Sequence, residues 1–164
     1  MKTITRSDIY LPMAAMILTA ALVVPAAAQN QVPFKGAFQG NDTDSAFSPP
    51  YVTVTTSGTG IGALVGQFSF TLVNRVNFVA GTETGSATLI AANGDSITAT
   101  IAGSAESTAD PNVISITEIY TITGGTGRFA GAQGSFTVER LANKATFFTS
   151  GSFHGTITSP GAAH

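Results

Sequence analysis

One carboxylate of this sequence stands where a charged side chain has a chemical consequence. Glu118 interrupts an alternating apolar face, with Ile116 before it and Tyr120 after it. A carboxylate that faces a protein interior needs a counter-charge, because removing its charge from water is otherwise costly. A basic partner is therefore expected on a neighbouring apolar segment.

Arg140 is the predicted partner of Glu118. If the glycine-rich segment between the two strands sets Ile122 opposite Phe136, antiparallel pairing places Glu118 opposite Arg140 on the same face. We expect an ion pair at one end of the protein interior. This pair is either purely structural or a polar anchor for the head group of a bound ligand.

Histidine, the commonest catalytic base, is poorly placed in this chain. His154 alternates with Ser152 and Thr156 on an outward face, and His164 lies in the C-terminal tail. A serine nucleophile needs a base within hydrogen-bond reach and an acid that orients that base. We predict no catalytic residues, and the sequence favours a protein that is not an enzyme.

Metal chemistry has little support either. Asn41, Asp42 and Asp44 are similar to part of a calcium loop, but the bidentate acid that completes such a loop is missing. The chain has no cysteine, so it has neither thiolate ligands nor disulfides. We predict a solvated polar loop here, no metal and no cofactor. Residues 41–43 also match a glycosylation sequon, which matters only in a eukaryotic source.

The N-terminal residues have the composition of a secretory signal. Lys2 and Arg6 precede an uncharged stretch at 13–24, and small residues follow at 26–28. This pattern predicts a signal peptide at 1–28, cleavage before Gln29 and one domain at 29–164. The apolar stretch is shorter than the roughly 20 residues that span a bilayer. We expect a secreted or periplasmic protein without a membrane anchor after cleavage.

Charge argues against nucleic acid as a partner. Charged residues make up 10% of the chain and the formal net charge is −2. Binding a phosphate backbone needs several basic groups on one face. The basic residues after the leader are scattered in sequence: Lys35, Arg75, Arg128, Arg140 and Lys144.

The apolar residues after the leader recur at every second position, which is typical of β-strands. The predicted strands cover residues 34–40, 51–56, 64–73, 84–92, 95–104, 113–123, 135–140 and 145–158. Eight sequential strands with short connections predict a single closed eight-stranded antiparallel β-barrel, with a two-layer sandwich as the alternative. The lumen of such a barrel is either filled by side chains or holds one small ligand.

Local patterns give further expectations. Gly58, Gly60 and Gly62 are expected to break the chain, and residues 141–144 to form a turn. Asn93 and Gly94 predict a two-residue type I′ turn, which would set Ile90 opposite Ile97. Alternation predicts that these side chains point inward: Leu64, Phe68, Phe70, Leu72, Phe136, Val138, Phe147, Phe153 and Ile157.

The segment 124–134, GGTGRFAGAQG, predicts a tight corner between two strands rather than a dinucleotide site, because no helix follows its glycines. A strand ending in GGTGRF resembles the dirigent proteins and the allene oxide cyclase barrel-like proteins. The segments 66–68 and 89–97, LIAANGDSI, are similar to secreted bacterial members. The resemblance implies an eight-stranded barrel with an apolar cavity, and it carries over no catalytic residue.

These observations lead to one expected function and two alternatives. We expect a secreted or periplasmic barrel that binds a small apolar molecule in its lumen, or a passive accessory module. The alternatives are a cyclase or isomerase that acts through the shape of an apolar cavity, and an eight-stranded outer-membrane barrel. Hydroxyl-rich outer faces and the lack of tryptophan disfavour the outer-membrane barrel. The candidate ligand-binding residues are Glu118, Arg140, Tyr120, Phe68, Phe70, Phe136 and Phe153.

Overall fold

The computed structural model describes residues 30–158, which form one sheet of eight consecutive strands. The strands are β1 (Gln31–Ser48), β2 (Tyr51–Gly62), β3 (Gly66–Asn77), β4 (Thr82–Ala91), β5 (Ser96–Ser107), β6 (Val113–Gly125), β7 (Gly134–Asn143) and β8 (Phe148–Thr158). The predicted signal peptide at 1–28 and its cleavage point lie outside the described residues. In the part that is described, no helix is long and apolar enough to cross a membrane.

The sheet closes on itself. Each strand pairs antiparallel with the strand before and after it, and β8 pairs with β1 from Gln31 opposite Thr158 to Asn41 opposite Phe148. Every strand therefore has two hydrogen-bonded neighbours, which removes exposed edges. This confirms the predicted eight-stranded antiparallel barrel over the two-layer sandwich.

Aromatic rings fill the lumen. The ring centroid of Phe153 lies 4.9 Å from that of Phe34, 5.5 Å from that of Phe136 and 6.0 Å from that of Phe68. The gap that remains among the lumen side chains has a volume of about 20 Å³. That is room for about one water molecule. We call the packed rings of Phe34, Phe68, Phe136 and Phe153 the aromatic plug.

The glycines expected to break the chain lie inside β2 instead. Gly58, Gly60 and Gly62 pair with β1 on one side and β3 on the other. A Cβ at Gly62 would lie 2.8 Å from Cζ of Phe153, and one at Gly60 would overlap the ring of Phe68. The expected break was wrong, because all three glycines are paired within the sheet, and Gly60 and Gly62 make room for the rings.

β1 also runs further than predicted. Asp42 and Asp44 are paired with Thr56 and Val54 of β2, so the expected polar loop is a strand that continues to Ser48. The prediction failed because it ended the strand where apolar residues stopped. Here the inward face itself becomes polar.

The β4–β5 hairpin has one loop residue more than predicted. The Gly94 amide donates to the Ala91 carbonyl, and Gly94 has a φ of 89°. Since no positive φ occurs at Asn93, the loop is a three-residue turn of type I with a glycine bulge, not type I′. Leu89 therefore pairs with Ile97, and Ile90 points outward, 45% exposed.

Two predicted inward residues are in turns. Leu64 and Phe147 have φ values of 68° and 59°, and they are 37% and 47% exposed. β3 begins at Gly66 and β8 at Phe148, after these turns. The expected turn at 141–144 was also wrong in its first part, because β7 continues through Leu141 to Asn143.

The corner between β6 and β7 contains a short 3-10 turn, Gly127–Phe129, and the strand that follows it confirms the corner prediction. Its register differs from the expected one by two residues, with Ile122 opposite Gly134 and Tyr120 opposite Phe136. A shift of two keeps every side chain on its face. The predicted lumen face of β7 was therefore right although its pairing was wrong.

Candidate functional site

Polar side chains, all buried except the partly exposed Asp42, gather at one end of the lumen, the end that carries the β1–β2, β3–β4, β5–β6 and β7–β8 turns. We call them the polar cluster: Asp42, Thr56, Asn74, Glu83, Glu118, Tyr120, Arg140 and Thr149. They come from seven of the eight strands. The aromatic plug lies directly below them, since Tyr120 stacks on Phe136 with ring centroids 4.7 Å apart.

Glu118 and Arg140 form the ion pair expected from the sequence. Arg140 Nε donates to Glu118 Oε2 at 3.1 Å, and Arg140 Nη2 donates to Oε1 at 3.4 Å. Glu118 is fully buried and Arg140 is 5% exposed. The expected direct pairing was wrong, because Glu118 lies opposite Val138 and Arg140 opposite Ile116. The two residues are diagonal neighbours on β6 and β7, and the long arginine side chain reaches across to the glutamate.

Glu83 brings a second buried glutamate to the cluster. Glu83 and Glu118 are both paired with Gly103 of β5, from opposite sides, so only a glycine separates them. Asn74 Nδ2 donates to both, at 2.9 Å to Glu83 Oε2 and 3.0 Å to Glu118 Oε1. A Cβ at Gly103 would lie 2.7 Å from Cγ of Glu118. The glycine is thus needed for the two carboxyl groups to meet.

The two glutamates differ in the number of hydrogen bonds that they accept. Glu118 accepts hydrogen bonds from Asn74, Tyr120 and Arg140, and both of its oxygens have donors. Glu83 accepts one hydrogen bond, and its Oε1 has no partner. Burial and the negative charge of Glu118 raise the pKa of Glu83 to about 7. Glu83 is therefore the member of the pair that holds a proton.

Asp42, at the solvent side of the cluster, is a third carboxylate near the same arginine. Its Oδ2 lies 3.9 Å from Arg140 Nη1, and its Oδ1 accepts from Thr56 Oγ1 at 2.5 Å. Burial raises the pKa of Asp42, and the Thr56 hydrogen bond and Arg140 oppose the rise. Three carboxyl groups thus share one guanidinium, which supplies their positive counter-charge.

Arg140 is held charged in this setting. Burial opposes its charge, but Glu118 and then Glu83 act more strongly together, so the pKa of Arg140 is raised. Its Nη1 donates to Thr149 Oγ1 at 3.3 Å, and Thr149 Oγ1 in turn donates to the Leu141 carbonyl at 3.0 Å. Within residues 30–158 no group of three histidine, aspartate or glutamate side chains is arranged to hold a metal ion.

Sequence reasoning missed Asn74, Glu83, Thr56 and Thr149. The signal for two of them was present, because Asn74 continues the inward alternation of Phe70 and Leu72 along β3. Glu83 likewise continues that of Ala87 and Leu89 along β4. Following the alternation through polar residues would have found both.

The residues predicted to bind a ligand all face the lumen. Phe68, Phe70, Phe136, Phe153 and Tyr120 are each less than a tenth exposed and pack on one another. The structure brings them together with Glu118 and Arg140 in one interior. In this packing, a molecule larger than water needs the rings to move.

A larger concavity lies on the outside of the barrel. The outer face of β1 to β4 forms a shallow groove of about 900 Å³ that is largely open to solvent. We call this the outer groove, and its exposed lining residues are Ala37, Gln39, Thr59, Ile61, Gln67, Ser69, Ile90 and Ala92. The inward positions behind it include Gly60, so the wall lies close to the ring of Phe68 there. Ile61 and Ile90 are 62% and 45% exposed, which gives the groove apolar contact area.

Comparison with protein-family models, curated proteins and solved structures finds no match to this chain. The resemblance to the allene oxide cyclase barrel-like and dirigent proteins therefore rests on the sequence segments alone. His154 lies on the outer face and is exposed, which confirms its predicted orientation.

Proposed function

We propose that this protein is an exported barrel, secreted or periplasmic, that binds a small, uncharged and largely apolar molecule. The composition of residues 1–28 supports export. The lining of the outer groove supports an uncharged ligand, because its side chains are apolar, amide or hydroxyl groups. The rigid closed barrel supplies the scaffold.

The observation that carries this proposal is the contrast between two volumes. Sites for small molecules occupy roughly 300 to 1,000 Å³. The outer groove has about 900 Å³, whereas the lumen retains about 20 Å³. We therefore assign the ligand to the outer groove. Binding in the lumen, as the sequence alone suggested, requires the rings of the aromatic plug to move.

Two exposed isoleucines give a matched test. The probe is N-phenyl-1-naphthylamine, a neutral apolar dye whose fluorescence rises on leaving water. Ile61→Glu places a charge in the outer groove, and we expect it to weaken binding about tenfold or more, since an unpaired carboxylate is disfavoured beside an apolar ligand. Ile119→Glu alters an equally exposed isoleucine on β6, outside the groove, and should leave the affinity unchanged.

A third variant separates the groove from the lumen. Phe70→Ala enlarges the interior without touching the outward side chains, so dye affinity should stay within about twofold of that of the parent chain if binding is in the groove. A dye that responds to Phe70→Ala and ignores Ile61→Glu would refute the groove assignment. Mass spectrometry of the protein from its source, under native conditions, would show the processed N-terminus and any retained molecule.

A second candidate function is acid–base catalysis of an isomerisation or cyclisation. The supporting observation is the Glu83–Glu118 pair, in which one carboxyl has a pKa of about 7, matched to proton transfer near neutral pH. A substrate would have to reach Glu83, which is 6% exposed. We rank this function second for that reason. Loss of a measured turnover in Glu83→Gln, with the fold intact, would promote it.

A further inference from the structure

The polar cluster points to a property that is independent of the outer groove. We propose that one proton, shared by the carboxyl groups of Glu83 and Glu118, locks this end of the barrel, and that losing it loosens the strands there. The device is a pH-sensitive lock. Its parts are a pair of carboxyl groups, one guanidinium and the strands that they join.

The geometry concentrates negative charge at one point. Glu83 and Glu118 are separated by Gly103 alone. Arg140 Nε lies 3.1 Å from Glu118 Oε2, and Arg140 Nη2 lies 3.8 Å from Glu83 Oε2. A single guanidinium therefore faces both carboxyl groups. When two carboxyl groups share a site, ionisation of one raises the free energy needed to ionise the other. One proton between them removes that repulsion.

The other groups facing Glu83 do not replace the proton. From β3, Asn74 donates its amide to Glu83 Oε2, which leaves Glu83 Oε1 without a donor. From β6, Tyr120 donates to Glu118 and not to Glu83. From β1, Asp42 adds negative charge near Arg140, and β5 contributes only Gly103. Asn74 and Arg140 favour the charged form of Glu83, but burial and the charge of Glu118 outweigh them.

The proton affects the fold because the cluster joins distant strands. Asn74 ties β3 to β4 and β6, and Arg140 ties β7 to β6 and β8. If Glu83 ionises, its charge competes with Glu118 for Asn74 and Arg140. The hydrogen bonds that join these strands weaken together, since each donor serves more than one acceptor.

The direction of the pH effect follows from the raised pKa of Glu83. The group binds its proton more tightly in the folded than in the unfolded chain, so its contribution to stability is complete below pH 4.5. That contribution is lost as the pH rises to about 7. Between pH 5.5 and 8.5 this one group raises the equilibrium constant for unfolding about 30-fold.

Glu83→Gln tests the lock, because the amide imitates the protonated carboxyl: it donates to Glu118 and accepts from Asn74. Urea unfolding of the whole protein at pH 5.5 and pH 8.5 gives the equilibrium constant for unfolding at each pH. In the parent protein the ratio of the two constants should be the 30-fold factor of Glu83 multiplied by a factor set by the other titratable groups. In Glu83→Gln only the second factor should remain. Glu139→Gln, an exposed glutamate of β7, should keep the parental dependence.

Hydrogen exchange locates the loosening. At pH 8.5 the amides of β4 and β6 should exchange faster in the parent protein than in Glu83→Gln, and at pH 5.5 the two should be equal. Equal pH dependence of unfolding in the two proteins would refute the lock. If Glu83→Gln does not fold, carbon NMR of the glutamate carboxyl groups in the parent protein decides: titration of Glu83 near 7 supports the lock, and titration near 4.5 overturns it.

Discussion

Glu83 and Glu118 face each other across Gly103, so that two buried carboxyl groups from β4 and β6 share the Asn74 amide over a strand that contributes no side chain between them. Each glutamate lies on the same level of the barrel as the glycine, because all three are register partners. The polar cluster therefore depends on the absence of a side chain at Gly103 as well as on its charged groups.

The first prediction concerns that glycine. Gly103→Ala should destabilise the protein by about 1 to 3 kcal/mol, because the new methyl group would press on Cγ of Glu118. Ser104→Val adds more bulk at the next position of β5, where the side chain points to solvent, and should change the stability little. Chemical denaturation of both variants measures the difference. A Gly103→Ala protein as stable as Ser104→Val would contradict the close contact.

Removing Arg140 should be among the most damaging single changes. Arg140→Ala leaves Glu118 fully buried and without its counter-ion, which costs about 3 to 5 kcal/mol. The Arg128–Asp95 pair provides the control, because it joins similar groups at 3.4 Å on the surface. Arg128→Ala should cost about 1 kcal/mol or less. Similar midpoints of thermal unfolding for the two variants would argue against an essential buried pair.

The aromatic plug predicts a large cavity effect. Phe153 packs against Phe34, Phe68 and Phe136, so Phe153→Ala should cost about 3 to 5 kcal/mol. Phe148 is five positions earlier on β8 and 43% exposed. Phe148→Ala should cost less than about 1 kcal/mol. Urea denaturation of the pair checks this, and near-equal losses would mean that Phe153 is not part of a packed interior.

Gly94 tests the shape of the β4–β5 hairpin. Its φ of 89° is unfavourable for other residues, and a Cβ there would meet no atom within 4 Å. Gly94→Ala should therefore cost about 1 kcal/mol through the backbone alone, and Gly94→Asn should cost less. Thermal unfolding compares the two variants. If alanine were tolerated as well as glycine, the bulged three-residue turn would be wrong.

The period-two pattern predicted the class of fold and most of the lumen face, because burial of one face imposes that alternation whatever the exact pairing. It failed where the inward side chain is not apolar. Asn74 and Glu83 continue the inward rows of β3 and β4, but a search for apolar residues stops before them. The polar cluster could be inferred only in part, from Glu118 and Arg140.

Turns were the other source of error, because short local preferences decide them. One additional loop residue at Gly94 moved Ile90 to the surface, whereas a two-residue shift at the β6–β7 corner left Tyr120 and Phe136 inside. An odd error in loop length exchanges the faces of a strand, and an even error does not. The sequence contains no strong signal that distinguishes these cases.

The seam between β1 and β8 also shapes how the chain reaches this state. Gln31 pairs with Thr158, so the ring is completed by residues from opposite ends of the described chain. Such distant contacts are slow to form. Until the last strand docks, the first and seventh strands present unsatisfied amides and carbonyls, which invite association with other chains. We therefore expect aggregation during refolding to depend strongly on concentration, even though the finished ring offers no strand for another chain to join.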